Sequence, residues 1–171
     1  SDSGFRVIRY DYYGRGWSDR PAVPHDQSLY SRQLDALLDS LHIRQPVTLA
    51  GLSFGGTVIT GYATRHPDRV RSLIYIDPGI GRPFPPPLTL RSRLAWNASM
   101  ILGGGSDAMA TGQPDDFLHP ERYPDWVARY RVQQQFRGTR ESIRAARLGV
   151  ATGPDVMEQL GRVGSVARPV L

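Results

Sequence analysis

Hydrophobic positions along this chain follow two periods, and the switches between them mark its elements. Phe5, Val7, Ile8 and Tyr10 fall in a short apolar run that predicts a strand over residues 5–10. Val47-Thr48-Leu49-Ala50 and Val70 to Ile76 are compact strand runs, and residues 47–50 and 73–76 have the near-continuous apolarity of strands buried on both faces. Before Val47, Leu34, Leu37, Leu38 and Leu41 recur at three- and four-residue steps, the period of one buried helical face. Asp26 or Ser28 is placed to cap that helix, His42 to meet the negative end of its dipole, and Gln45-Pro46 to close the connection onward. Phe54 to Arg65 reads as a second helix, rich in small residues that let it lie close to a sheet, and His66-Pro67 stops it. Strand, helix, strand, helix, strand with short links is the pattern of parallel β-α-β units.

From Gly81 the pattern changes. Arg82-Pro83-Phe84-Pro85-Pro86-Pro87 predicts a stiff extended linker, because each proline locks φ. Beyond it the periodicity is helical only: 88–102, broken by Gly103-Gly104-Gly105, then a proline-bearing turn over 112–120 that carries Phe117, then helices over 123–136, 139–151 and 155–162. Thr139 is the expected N-cap of the 139–151 helix, with Ile143, Ala146, Leu148 and Val150 available for burial. The arginines between 129 and 147 read as a solvated face. Arg168 to Leu171 reads as the opening of another strand.

Composition narrows the class. A chain of 171 residues, 40% hydrophobic, has enough material for one sizeable core with room for an inserted subdomain. No apolar run approaches a membrane span and no basic-then-apolar leader is visible, so the expected location is cytoplasmic. The absence of Cys excludes disulfides and thiolate metal sites. All 21 basic residues are Arg, a balance that reads as codon bias rather than as a nucleic-acid surface, and no nucleic-acid partner is expected despite a pI near 10.0. The chain opens on Ser1 almost directly into a strand and stops within another, so both ends look cut.

The chemistry concentrates in Gly51-x-Ser53-x-Gly55, at the junction of a strand and a helix. A serine hydroxyl is a poor nucleophile unless it stands proud of its strand, where a base can reach it. A turn that sharp drives the serine toward positive φ and leaves no room for side chains on its flanks, hence the glycines. The following helix would aim its N-terminus at the site, with the Phe54 N–H facing the oxyanion formed on attack at a carbonyl. The plain alternative is a Gly/Ser turn without chemical meaning. A second structured turn, Asp11 to Pro21, follows the first strand; its Gly14-x-Gly16 lacks the third glycine of a dinucleotide loop, and Asp11, Ser18 and Asp19 read individually as turn residues.

Asp11-x-x-Gly14-x-Gly16-x-Ser18-x-x-Pro21 resembles the turn after the fourth strand of the α/β-hydrolase fold family, and Gly51-x-Ser53-x-Gly55 the elbow after its fifth. Ser72 to Pro78 is similar to the sixth strand, which leads to a helical cap in the esterase-like members. The resemblance is close over residues 1–80 and extends to the cap in composition only. It implies an α/β fold, a parallel sheet with an inserted helical cap, incomplete at both ends. Residues 1–81 would be a partial core, 82–166 the cap and 167–171 the start of the seventh strand. The family's third strand would lie between 5–10 and 47–50 and is not in the chain, which would leave the first strand without partners. The second oxyanion donor, the usual triad acid and the triad His would also lie outside these residues; His25, His42, His66 and His119 match no base position. Asp77 is the one acid directly after the sixth strand, either that acid or a turn residue before Pro78.

The resemblance further implies a serine hydrolase that attacks an ester-type carbonyl through an acyl-enzyme at Ser53, on a small, apolar, ester-like substrate, with no metal or organic cofactor. Leu52, Trp96 and Phe117, with Phe54, Met100 and Trp126, are candidate walls of an apolar acyl pocket or else ordinary core. Dehalogenases and epoxide hydrolases of this fold use a carboxylate at the elbow, which Ser53 opposes. Carbon–carbon bond hydrolases, lactonases and cofactor-free haloperoxidases share the serine and stay open, as does a non-catalytic binding relative. These 171 residues alone are expected to show no esterase turnover.

Overall fold

The computed structural model describes residues 4–78, 89–102, 104–151 and 156–164. The chain forms two compact units, each assembled from separated stretches: residues 1–22 with 95–144, and residues 23–94 with 145–171.

The second unit holds the sheet. Its elements are α1 (Gln27–Ser40), β1 (Val47–Leu52), α2 (Phe54–Arg65), a 3₁₀ turn at Pro67–Arg69 and β2 (Val70–Ile76). The positions expected from periodicity for α2 and β2 match the observed ones residue for residue, and β1 runs on from the expected Ala50 to Leu52. β1 and β2 pair in parallel, Leu49 opposite Leu73 and Leu52 opposite Ile76. The pairing is direct because α2 supplies the crossover that parallel strands need.

Burial alternates along β1: Leu49 and Gly51 are buried, Thr48, Ala50 and Leu52 exposed. That departs from the expected burial on both faces. Leu49, Val58, Tyr62 and Leu73 form the core on the covered side, where α2 lies against both strands and α1 packs on α2.

α1 begins at Asp26, whose carboxylate accepts the Leu29 N–H at 2.8 Å, so of the two candidate caps the aspartate is the one used. At its other end His42 adopts φ 55, its N–H donating to Asp39 O at 2.9 Å while the Ile43 N–H donates to Leu38 O at 2.9 Å. This pair of bonds satisfies the last carbonyls of the helix. His42 therefore closes the helix with its backbone in the left-handed region.

Residues 5–10 do not form a strand, and Phe5 and Val7 are 74% and 70% exposed. Their apolar pattern is strand-like, but a strand exists only where a neighbour takes its N–H and C=O groups, and among the described residues β1 and β2 pair only with each other.

In the first unit the turn after Asp11 is tightly built. Gly14 takes φ 80 and its N–H donates to Asp19 O at 2.8 Å, the Trp17 N–H donates to Asp11 Oδ2 at 3.1 Å, and the Ser18 hydroxyl to Asp11 O at 2.6 Å. The Arg20 guanidinium donates to Gly16 O and Ser18 O, both at 2.8 Å, and to Arg137 O. Trp17 meets Phe136 edge-on at 5.3 Å. Asp11, Ser18 and Asp19 thus serve as turn residues.

The helices after the linker are α3 (Leu90–Ile101), α4 (Gly104–Gly112), α5 (Trp126–Gln134), α6 (Thr139–Ala151) and α7 (Val156–Gly164). α3 ends at Ile101, as the expected glycine break requires, but a further helix that was not expected, α4, opens on Gly104 and Gly105. A Cβ on Gly105 would come within 2.8 Å of Ser99 Oγ and 3.1 Å of Met100 Sδ, so the glycine permits a close approach to the end of α3. α5 is shorter than the expected 123–136, with tight turns at both ends, where the Trp126 N–H donates to Tyr123 O at 3.0 Å and the Gln135 N–H to Val132 O at 3.1 Å. Thr139 is the first residue of α6 and not its cap: the carbonyl that opens the helix is that of Gly138, which accepts the Ser142 N–H at 2.9 Å. Ile143 and Ala146 are buried as expected. The side chains of Leu148 and Val150, the proline linker and the expected final strand lie outside the described residues.

Candidate active site

β1 delivers the chain to Ser53 with its backbone at φ 49 and ψ −115, and α2 starts at the next residue. That conformation suits glycine and is costly for any residue with a Cβ. It is held in place from both sides. The Ser53 N–H donates to Ile76 O of β2 at 3.0 Å, and the Gly56 N–H to Ser53 O at 2.9 Å.

The flanking glycines have the expected steric cause. A Cβ on Gly51 would lie 2.5 Å from the carbonyl carbon and oxygen of Gly55 and 2.7 Å from Gly56 N. All three are backbone atoms, which no rotamer change can move aside. Gly56 does a related job toward β2, where a Cβ would meet Pro78 Cβ at 2.9 Å and Tyr75 Cδ1 at 3.4 Å. Beneath the turn, Thr60 Oγ1 donates to Gly56 O at 2.8 Å and shares a 2.8 Å hydrogen bond with the Tyr75 hydroxyl. Burial pushes the Tyr75 phenol above its ordinary range, with the Thr60 bond opposing. The start of α2 is therefore clamped to the end of β2.

Ser53 is exposed. Phe54 is the first residue of α2, so its N–H belongs to the helix terminus that carries partial positive charge. Nothing acidic in the first turn of α2 offsets that field.

Leu52 and Ile76 are partners in the ladder, so Ser53 and Asp77 follow at the carboxyl ends of neighbouring strands. Asp77 is exposed and takes φ 38. Leu52 is 63% exposed, on the sheet face of Thr48 and Ala50. Trp96 and Phe117 belong to the other unit, where the Phe117 ring meets Trp126 edge-on at 5.1 Å and Tyr123 at 5.4 Å.

Three of the four histidines are engaged elsewhere. His25 is buried with Nδ1 at 3.2 Å from the Tyr30 hydroxyl, His66 lies over Tyr62 with ring centres 4.7 Å apart, and His119 Nδ1 is 3.1 Å from Glu121 Oε1. Among the described residues no group of His, Asp and Glu converges to hold a metal, and no helix is long and apolar enough to cross a membrane.

Two features of this site were missed in the sequence. Thr60 and Tyr75 fasten helix to strand, and Tyr30 stands behind Phe54, their rings edge-on at 5.4 Å. Gly56, by contrast, left a visible signal, the second glycine directly after the motif.

A strained serine between a parallel strand and a helix defines a nucleophile-elbow architecture. Residues 1–135 match the sequence profile of the family described as alpha/beta hydrolase fold, and the chain belongs to that family. A 2-hydroxymuconate semialdehyde hydrolase of Pseudomonas putida is 34% identical over 143 residues, covering 82% of this chain and 48% of that protein. A cis-3-alkyl-4-alkyloxetan-2-one decarboxylase of Shewanella oneidensis is 39% identical over 72 residues, 40% of this chain and 23% of that protein. The matched stretches thus span half or less of these curated relatives. A thermophilic esterase from Thermogutta terrifontis superposes with a TM-score of 0.73 at 24% identity, over 94% of this chain and 57% of that one, which establishes a shared fold.

Proposed function

We propose that the protein is a serine hydrolase whose nucleophile is Ser53. The observation that carries this reading is the conformation of Ser53 itself, φ 49 and ψ −115 at an exposed strand-to-helix turn, with the Phe54 N–H at the head of α2. In the reaction, Ser53 Oγ attacks an ester-type carbonyl and gives up its proton to a general base. The carbonyl oxygen takes the negative charge, which the Phe54 N–H and the α2 terminus stabilise. The carbon–oxygen bond to the alcohol then breaks, leaving an acyl-enzyme that an activated water hydrolyses. Asp77, beside Ser53 at the next strand end, is the candidate to orient the base. Residues 82–166 are proposed as a helical cap, with Trp96 and Phe117 as its candidate substrate contacts and Leu52 as a candidate contact on the sheet. The substrate is a small, apolar ester.

Carbon–carbon bond hydrolysis is the second reading. It is favoured by the relative that aligns over 82% of the chain, named a 2-hydroxymuconate semialdehyde hydrolase. Both chemistries use the same serine, so one experiment tests what they share. The full-length protein should label covalently with a fluorophosphonate probe, and Ser53→Ala should abolish labelling. Labelling that persists in Ser53→Ala overturns the assignment, and none in the wild type favours a non-catalytic binding protein. Turnover of p-nitrophenyl esters against 2-hydroxymuconate semialdehyde then separates the two readings.

A further inference from the structure

The residue after Ser53 has an unusual support behind it. Phe54 is half-buried, and its ring meets that of Tyr30 edge-on, centres 5.4 Å apart and planes at 85°. Tyr30 is 1% exposed, so it cannot turn toward solvent. Its hydroxyl is 3.2 Å from His25 Nδ1, and His25 is itself buried and edge-on to the Tyr30 ring. The His25 backbone is fixed in turn. Asp26 caps α1, and α6 crosses so near that a Cβ on Gly149 would collide with His25 O and lie 2.9 Å from Asp26 Cα. Gly149 is what allows α6 to press on the His25–Asp26 link.

A buried tyrosine–imidazole pair at the head of a helix that also buries Leu29 and Leu34 has a role if its geometry matters. A phenylalanine would fill the space of Tyr30 but would lose the bond to His25 Nδ1 that helps to fix the tilt of its ring. A hydroxyl tied to a buried imidazole sets that tilt, and an edge-on ring pair depends on it. The ring held by the pair belongs to the residue whose N–H heads α2. A small shift of that peptide moves the donor relative to the developing oxyanion, and misplacement by about 1 Å is enough to cost orders of magnitude in rate.

The geometry points to Tyr30 and His25 as positioning residues that hold the Phe54 peptide in place as an oxyanion donor. The inference rests on the serine-hydrolase reading for its catalytic consequence, but its structural half, a fixed Phe54 peptide, does not.

Two measurements on the full-length protein test it separately. The first is the ¹⁵N order parameter of the Phe54 amide. Tyr30→Leu, which removes the ring, should lower it from the rigid range near about 0.85 toward the flexible range below about 0.6, with Ile59 further along α2 unchanged. An unchanged Phe54 amide overturns the inference whatever the enzyme does. Tyr30→Phe, which removes only the hydrogen bond, should produce an intermediate drop, and adding it to His25→Ala, which removes that bond together with the imidazole ring, should lower the order parameter no further. Additive drops overturn the coupling. His25→Gln, able to bond the hydroxyl, should restore rigidity.

The second measurement is kinetic. Per site titrated with fluorophosphonate, Tyr30→Phe should lower ester kcat by about tenfold with KM within about twofold. It should also narrow the preference for an ester over the matched thionoester, whose sulfur fits an oxyanion donor poorly. A purely structural role would change the number of titrated sites and leave both ratios alone, which overturns the inference. If the wild type titrates no Ser53-dependent sites, the functional reading fails and the order parameters still decide on Tyr30 and His25.

Discussion

Gly51 and Gly55 touch through their backbones: a Cβ on the first would sit 2.5 Å from the carbonyl carbon and oxygen of the second. The contact exists because the chain reverses from β1 into α2 within the residues between them, and Ser53 occupies the apex at φ 49. Spacing in sequence has become contact in space, and the motif is a steric statement before it is a catalytic one.

Gly51→Ala tests that statement. Alanine in a strand is ordinarily at least as favourable as glycine. Here the added methyl meets main chain and has no side chain to displace. Destabilisation of about 1–3 kcal/mol is expected in urea unfolding, the range of other overpacked sites, with loss of fluorophosphonate labelling. A variant as stable and as reactive as the wild type would mean that the turn is looser than the structure indicates.

The elbow was legible because its physics is local. Gly51, Ser53 and Gly55 exclude one another's side chains over a few residues, and the periods of Phe54 to Arg65 and Val70 to Ile76 are likewise internal to each element. Residues 5–10 carry the same kind of local pattern, yet strand formation is a relation between two segments, and one segment cannot report whether its partner is there. α3 does end at Ile101, ahead of the expected glycine break, but the helix that opens on Gly104 was hidden for a related reason. Propensity is a weak prior, and a close approach to Met100 outweighs it. The link from His25 through Tyr30 to Phe54 was invisible because a position on a helix face does not name the side chain it will meet.

A buried amide pair gives the next prediction. Gln27 and Gln159 are both buried and exchange hydrogen bonds, Gln27 Nε2 to Gln159 Oε1 at 2.8 Å and Gln159 Nε2 to Gln27 Oε1 at 3.0 Å. Gln27 Nε2 also donates to Thr57 O at 2.9 Å, so the pair ties α1 and α7 to α2 beneath the elbow. Gln159→Leu removes both amide–amide bonds, leaving Gln27 with Thr57 O and a 3.4 Å bond from Arg65, and should cost about 1–3 kcal/mol. Adding Gln27→Leu removes the partly satisfied amide, so the double variant should lose less than the sum of the single losses. Strict additivity in urea unfolding would show that the amides do not interact.

Tyr62 predicts a response to alkali. Burial, then the Asp35 carboxylate that accepts its proton at 3.1 Å, push the phenol from 10.0 up to about 12, against the opposing charge of Arg69. The folded chain therefore keeps a proton that the unfolded chain releases near pH 10. Stability from this group is fully present below about pH 10 and is lost as pH rises toward about 12. Tyr62→Phe should unfold at a urea midpoint that falls less steeply over that window. A wild-type profile parallel to that of the variant would contradict the assignment.

The last prediction concerns the cost of holding Ser53 where it is. Its backbone, at φ 49 and ψ −115, lies in a region that glycine occupies readily and residues with a Cβ do not. Holding a non-glycine residue there costs about 1–3 kcal/mol, borne here by the bonds to Ile76 and Gly56 and by the contact between the glycines. Ser53→Ala and Ser53→Gly both delete the hydroxyl, so neither should label with fluorophosphonate. They differ in strain. Alanine keeps the Cβ and with it the unfavourable conformation, whereas glycine releases it. Against that gain stands the greater freedom of glycine in the unfolded chain, worth about 0.4–1 kcal/mol. Strain relief outweighs that freedom over most of its range, so Ser53→Gly should be the more stable of the two, by about 1–2 kcal/mol in urea unfolding. Equal midpoints, or a more stable Ser53→Ala, would mean that Ser53 is not strained in solution, and the turn would lose its claim to present a nucleophile.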